Sequence, residues 1–239
     1  MSTVPQFLTD TFEKLFLRPA VVTAATHLSG HFRLVELAGE RLKTLSWVPG
    51  EKVQFHLGKM NSRTYTPIAW NPHEGTAQFI MFLHGHGPGS EWAESLKQGS
   101  QCRFMGPRSS LNFSEIDGDS IFFGDETSIA AAMALHSSNG DRDNRFVFEV
   151  SSLVESGEVL QRIGLPNAKL VKKTPDLSHL AEVEESLVEA SSDVVSPRWI
   201  FTGKGQSIQS LRRMLRARRM TLSQVKTKAY WAEGKTGLD

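Results

Sequence analysis

Apolar residues in the first half of the chain recur at every second position, in short runs broken by Gly and Pro. Lys52-Val53-Gln54-Phe55-His56-Leu57 alternates cleanly between Pro49-Gly50 and Gly58, which predicts a half-buried strand. Val21, Val22, Ala24 and Ala25, a turn near Ser29-Gly30, then Phe32, Leu34, Val35 and Leu37 predict two more strands. A strand carrying Arg63 follows, then a turn at Asn71-Pro72-His73-Glu74-Gly75 and an apolar strand over Thr76 to His84. Ser90 to Leu96, with Trp92 and Leu96 four apart, reads as a short helix closed by Gln98-Gly99. Cys102 to Met105 supplies the last strand, and Gly106-Pro107-Arg108-Ser109-Ser110 its exit. Successive short strands of this kind predict an antiparallel barrel or sandwich.

From Asp119 the period changes. Ile121-Phe122-Phe123 reads as a buried strand, Gly124 to Thr127 as a turn and Ser128 to Ser137 as an Ala-rich helix. There follow a strand at Phe146 to Val150, a variable stretch, a strand at Lys169 to Val171 and an acidic helix around Leu180 to Ala190. A strand at Trp199 to Phe201, a helix from Gln206 to Arg219 and a strand from Val225 to Trp231 complete the series. Strands alternating with helices predict a doubly wound parallel sheet, whose ligands bind beyond the carboxyl ends of the strands. The expected fold class is therefore β + α/β, an antiparallel β-barrel followed by a doubly wound parallel sheet. Met1 to Phe16 mixes charges with apolar residues at helical spacing, which fits a short amphipathic helix and not a signal peptide.

Composition changes this picture little. The 239 residues suffice for one large or two small cores, and 27 Lys plus Arg against 26 Asp plus Glu give no global pull toward nucleic acid or membrane. The balance is local: residues 197–239 hold ten basic and two acidic side chains, and residues 141–196 six basic and eleven acidic. Cys102 is the lone cysteine, so the chain cannot form an internal disulfide or a four-cysteine iron–sulfur cluster. No apolar run approaches the roughly 20 residues that span a bilayer. A cytoplasmic location is the natural expectation.

Candidate chemistry lies at four places. Arg63-Thr64-Tyr65-Thr66-Pro67 sets a fixed cation, a flat ring and hydroxyls on one extended segment. Arg63 and Tyr65 should point one way and Thr64 and Thr66 the other, with Pro67 at an edge or end. Such an Arg can fork onto a phosphate and such a Tyr can lie on a planar ring, but an exposed strand Arg and a packed Tyr would look the same. His84-Gly85-His86-Gly87-Pro88-Gly89-Ser90 opens onto a helix, either as a cradle of backbone N–H groups for a phosphate or as a turn capped by Ser90. Gly124-Asp125-Glu126-Thr127 and Thr202-Gly203-Lys204-Gly205 sit at two expected strand ends. The helix carrying Arg212, Arg213, Arg216, Arg218 and Arg219 lacks the aromatics that would stack on bases, so nucleic acid is not an expected partner. The histidines show no metal-ligand spacing, and no metal site is expected.

Four runs in chain order resemble the siderophore-interacting proteins, the flavin-dependent ferric-siderophore reductases of the ferredoxin-reductase-like superfamily. They are Arg63-Thr64-Tyr65-Thr66, then His84-Gly85 with Gly87-Pro88-Gly89-Ser90 and Trp92, then Gly124-Asp125-Glu126-Thr127, and Ala229-Tyr230-Trp231 with Gly234. The resemblance implies an FAD-binding barrel over 1–113 and an NAD(P)H-binding-like domain over 114–239. Arg63 would lie near the pyrophosphate and Tyr65 and Thr66 against the isoalloxazine, with Thr64 also in the cofactor site. His84, Gly85 and Trp92 would flank Gly87, Pro88, Gly89 and Ser90 around the phosphates. Thr127 would stand at the flavin edge, and Tyr230 or Trp231 would close over it, although a sheet-end core would also accept that aromatic pair. An anionic ferric siderophore would meet basic residues, for which Lys52, Lys59, Lys204, Lys228 and Lys235 are the candidates, with Asp125 and Glu126 beside the substrate. The sequence departs from the family in Lys204, where Glu commonly follows the Gly, and in Ala232, where Arg often follows the Tyr-Trp pair. The implied activity is reduction of siderophore-held iron with electrons from NAD(P)H or an external ferredoxin, with no protein side chain as catalyst. A general flavin reductase and a non-catalytic module for an anionic chelate remain the alternatives.

Overall fold

The computed structural model describes residues 17–58, 61–138, 140–222 and 224–235. The helix expected at Met1 to Phe16 and the candidate Lys59 lie outside them. Seven antiparallel strands form the first sheet: β1 (Arg18–His27), β2 (Phe32–Ala38), β3 (Lys52–Gly58), β4 (Asn61–Tyr65), β5 (Pro67–Asn71), β6 (Thr76–Phe82) and β7 (Gln101–Arg108). Their spatial order is β4-β3-β7-β1-β2-β6-β5. The two edge strands, β4 and β5, are consecutive in the chain and separated by Thr66 alone. A trans peptide step spans only about 3.8 Å between Cα atoms, so the sheet must curl until its edges adjoin. The run singled out in the sequence is thus the seam of a barrel, with Pro67 beginning an edge strand where its missing N–H leaves no ladder bond unmade.

Period-2 alternation sorts the barrel strands between two cores. On β2, Val35 and Leu37 point into the barrel while Phe32 and Leu34 face the second layer; on β6, Ala77, Phe79 and Met81 point inward while Ile80 and Phe82 face outward. The short helices α1 (Glu40–Lys43) and α2 (Pro88–Ser95) flank the barrel, and Ala93 and Leu96 of the α2 region close its interior. Phe55, fully buried, meets the rings of Phe79 at 5.1 Å, Trp92 at 5.2 Å, Tyr65 at 6.0 Å and Phe104 at 6.3 Å.

The second sheet is parallel throughout: β8 (Ser120–Asp125), β9 (Asn144–Val150), β10 (Lys169–Lys172), β11 (Arg198–Lys204) and β12 (Val225–Trp231), in the order β10-β9-β8-β11-β12. The chain order reverses between β8 and β11, so the carboxyl ends of those strands flank the switch-point crevice. Helices α3 (Ile129–Ser138), α4 (Leu153–Arg162), α5 (Leu180–Ser191) and α6 (Gly205–Ala217) cover the sheet. Helix α3 is apolar on nearly every side because it packs between the layers, sharing one core with Phe32, Ile80, Leu111 and Phe113 of the barrel side. Polar ties join the layers as well: His31 N–H donates to Glu155 of α4 (2.6 Å), and Arg162 donates to the Leu28 carbonyl (2.5 Å).

Two local readings need correction. The stretch read as variable contains α4, whose N-cap Ser152 accepts the Glu155 N–H (3.3 Å), a Ser-x-x-Glu start that is legible in the sequence. Gly157 in its middle weakens the helical signal by about 1 kcal/mol relative to Ala. Helix α2 begins two residues earlier than expected, with Pro88 in the first turn and Gly87 as N-cap, so Ser90 is not its cap; the Ser90 hydroxyl instead accepts the His84 N–H (3.1 Å).

Because Phe55 joins β3, β7, α2 and the Tyr65 ring, Phe55→Ala is expected to cost about 3–5 kcal/mol, read as a lowered urea midpoint. A change below about 1 kcal/mol would show that the barrel interior repacks around the loss.

Candidate functional site

Tyr65 ends β4 opposite Val53 of β3, and its ring stacks on Trp92 of α2 with centroids 6.2 Å apart and planes inclined by 29°. Burial pushes its phenol up to about 12 against the opposing pull of the nearby Arg63 charge. Arg63 is exposed, and its Nη1 donates to the Ser62 carbonyl at 2.7 Å. The side chain lies over Gly89: a Cβ there would sit 2.9 Å from Arg63 Cγ and 3.2 Å from Nε. Gly89 therefore lets the guanidinium rest on the first turn of α2.

That placement sets two positive groups side by side. The amino end of a helix carries partial positive charge on unpaired N–H groups, and no side chain caps α2 at Gly87. Among the described residues no carboxylate pairs with Arg63, and Glu91, the acid of the first turn, is exposed and makes no ion pair. His84 adds to the crowd: burial, then the charges of His86 and Arg63, depress its pKa, so the ring is neutral at pH 7. Donors, dipole and guanidinium converge on one spot that suits an anion.

The facing wall is built at the carboxyl end of β8. Asp125 is completely buried; its Oδ1 accepts the Thr127 N–H (2.9 Å) and its Oδ2 accepts the Trp231 indole N–H (2.7 Å). Gly203, at φ 94°, makes room, since a Cβ would stand 2.6 Å from the Asp125 carboxyl carbon. Burial raises the Asp125 pKa, while the Lys173 charge and the Thr127 hydrogen bond work the other way. Glu126 accepts the Ser151 N–H (2.5 Å) and forms an ion pair with Lys173. Burial disfavours the Lys173 charge, but Asp125 and Glu126 outweigh it and the net shift is upward. Trp231 is flanked by two ammonium groups, Lys204 at 5.3 Å and Lys173 at 5.9 Å from the ring centroid. Tyr230 reaches across to the seam, where its hydroxyl hydrogen bonds with Thr66, and burial raises its pKa.

Between the walls lies a cleft of about 560 Å³. From the barrel it is lined by Arg63, Thr64, Tyr65, Thr66, His84, Gly89, Ser90 and Lys52, and from the parallel sheet by Glu126, Thr127, Lys228, Tyr230, Trp231 and Lys235. The alternation expected of the β4 run does not segregate it, because all of Ser62 to Thr66 line the cleft along the edge strand. Gly85, Gly87 and Pro88 lie in the turn and first residues of α2 without lining it, and Trp92 stands behind Tyr65. Asp125 is sealed beneath the surface and Lys204 is paired with Glu233, so neither lines the cleft. Lys173 is the residue the sequence reading passed over. Its signal was its place just after the strand Lys169 to Val171, at a carboxyl end.

This arrangement of an antiparallel barrel, a 3-2-1-4-5 parallel sheet and a cleft at the switch point is the ferredoxin-reductase-like fold. A ferredoxin-NADP+ reductase from Plasmodium falciparum superposes with TM-score 0.66 over 89% of this chain and 95% of its own, at 12% identity. Within that fold the resemblance read from the sequence is borne out: residues 55–111 match the family described as siderophore-interacting FAD-binding domain. A siderophore utilization protein from T. fusca superposes with TM-score 0.72 at 18% identity, covering 93% of this chain and 95% of that one. The siderophore-interacting protein SipS from Aeromonas hydrophila gives 0.71 at 21% identity, covering 92% and 93%. No curated protein sequence matches the chain. No helix among the described residues is long and apolar enough to cross a membrane.

Tyr65 and Tyr230 are the only tyrosines, so an alkaline titration at 295 nm reports the site alone. Unfolded tyrosines ionise near 10, while both folded phenols are held above it. The folded protein therefore retains more protons, and stability falls as pH rises from about 10 toward 12. Little tyrosinate absorbance is expected below pH 11 in the folded protein; a full two-tyrosine step near pH 10 in folded protein would contradict the burial described.

Proposed function

We propose that this chain is an FAD-containing oxidoreductase that reduces ferric siderophore iron to the ferrous state, with NAD(P)H or an external ferredoxin as electron donor. The observation that carries the cofactor reading is the Arg63 guanidinium lying on the uncapped amino end of α2, a positive pair with no carboxylate partner among the described residues. A diphosphate would satisfy both, and the segment from Arg63 to Thr66 would continue from that anchor along a flavin ring. Gly87 to Ser90 would present the backbone N–H groups, with His84 and Gly85 shaping the turn and Trp92 backing Tyr65. Residues 1–113 would form the FAD-binding unit and 114–239 the NAD(P)H-binding-like unit.

Bound FAD would supply the redox chemistry, accepting a hydride from NAD(P)H or single electrons from a ferredoxin and passing electrons on singly. The protein's own groups would control access. Thr127 and Glu126 line the cleft at the carboxyl end of β8, where a donor would approach, with Tyr230, tied to Thr66, and Trp231, tied to Asp125, on the same wall. Lys52, Lys228 and Lys235 line the cleft, where their charge would draw an anionic chelate. Iron is the substrate: reduction weakens its bonds to hard oxygen donors and so releases it. No side chain need act as nucleophile or general acid.

Purified protein is expected to be yellow, and Arg63→Ala is expected to weaken FAD binding at least tenfold, or about 1.4 kcal/mol. A colourless protein that takes up no added FAD would sink the proposal. For the substrate, protein reduced without oxygen is mixed with a ferric siderophore in the presence of a ferrous-specific chelating dye. Dye colour with re-oxidation of the flavin is expected. Re-oxidation only by other acceptors would leave a general flavin reductase, and chelate binding without re-oxidation a binding module.

A further inference from the structure

Arg33 is a buried cation that the cofactor reading above does not use. It sits on the inward face of β2, opposite Met81 of β6, with 5% of its surface exposed. Its Nη1 donates to the carbonyls of Ala93 (2.5 Å) and Glu94 (2.7 Å), and its Nη2 to those of Leu96 (2.8 Å) and Ala25 (3.3 Å). Three of these four acceptors belong to the last turn of α2 and the residue that follows it. Among the described residues no carboxylate pairs with the guanidinium. A charge so buried is costly unless something of opposite sign compensates it. Here the compensation is the negative end of a helix and its orphan carbonyls.

We propose that Arg33 is a positioning residue for the cofactor's diphosphate, acting through α2. The inference rests on the FAD reading given above. An eight-residue helix is only about 12 Å long, so fixing its carboxyl end fixes where its amino end aims. The planar fork of Arg33 meets the carbonyls of Ala93, Glu94 and Leu96 at once, which an ammonium cannot reproduce in one geometry. Ala93 packs the helix on the barrel mouth and Trp92 stacks on Phe55 and Tyr65, which fixes the middle of α2. The grip of Arg33 fixes its carboxyl end as well. At the far end, the free N–H groups of α2 and Arg63 over Gly89 then keep a common focus. A plug alone would not need a charge, because apolar side chains close barrel interiors without this desolvation cost.

The test separates phosphate binding from ring binding. Apo-protein, wild type and the variants Arg33→Met and Arg33→Lys, is titrated with FAD and with riboflavin, which has the ring but no phosphate. Flavin fluorescence is followed, alongside thermal melting. Wild type is expected to prefer FAD. In Arg33→Met the FAD affinity is expected to fall at least tenfold while riboflavin changes less than twofold, with Arg33→Lys between. If Arg33→Met does not fold, the FAD-to-riboflavin ratio of Arg33→Lys decides. Equal losses for both flavins, or no loss for FAD, would overturn the inference while leaving the FAD reading in place. A wild-type protein that binds neither flavin would overturn both.

Discussion

The amino end of α2 and the Arg63 guanidinium repel one another, yet the fold presses them together. Gly89 leaves the space, β4 places the arginine at the barrel edge, and no acid among the described residues neutralises it. Isolated from solvent ions, such a pair costs energy; beside a bound diphosphate it becomes a charge-assisted clamp. Much of the barrel can be understood as the support for this juxtaposition. The aromatic stack of Phe55, Tyr65 and Trp92 holds β4 against α2 from the inside, and the seam at Thr66 delivers the strand to the cleft.

The opposite wall uses a different economy of charge. Asp125, Glu126 and Lys173 are held at the carboxyl ends of β8 and β10, which flank β9, satisfied by backbone N–H groups, by each other and by the Trp231 indole. This wall is internally neutralised where the α2 wall is not. A diphosphate entering the cleft is therefore drawn to Arg63 and α2, and the sheet side offers aromatic faces, the hydroxyl of Thr127 and the ammonium groups of Lys228 and Lys235. The Tyr230–Thr66 hydrogen bond and the shared core around α3 register the two walls against each other.

Six of the seven barrel strands, the parallel character of the second sheet and the glycine turns at the cleft were legible because each rests on short-range patterning: alternation on β2, β3 and β6, glycines before α2, strand ends at Gly124 and Gly203. Strand β5 was not, because Pro67 to Asn71 shows no clear alternation, and the order of the parallel strands depends on pairings that spacing does not encode. Helix α4 was obscured by Gly157 and its polar content, although its Ser152-to-Glu155 start was there to be read. The sealing of Asp125 and the pairing of Lys204 with Glu233 depend on contacts across many residues, which spacing does not encode. So does the role of Lys173, whose partners Asp125 and Glu126 come from another strand. Arg33 shares the parity of Val35 and Leu37 and so falls on the inward face, but only the closure of the barrel by α2 shows what it meets there.

The central claim is that the clamp of Arg63 and α2 holds the diphosphate of a flavin whose ring lies along Tyr65 and Thr66. A crystal structure of the protein with FAD bound tests it most directly. The account requires phosphate oxygens within hydrogen-bonding distance of the Arg63 guanidinium and the backbone N–H groups of Gly87 to Ser90, with the ring in the cleft beside Tyr65. Phosphates bound at the carboxyl ends of the parallel strands, with α2 and Arg63 bare, would contradict it.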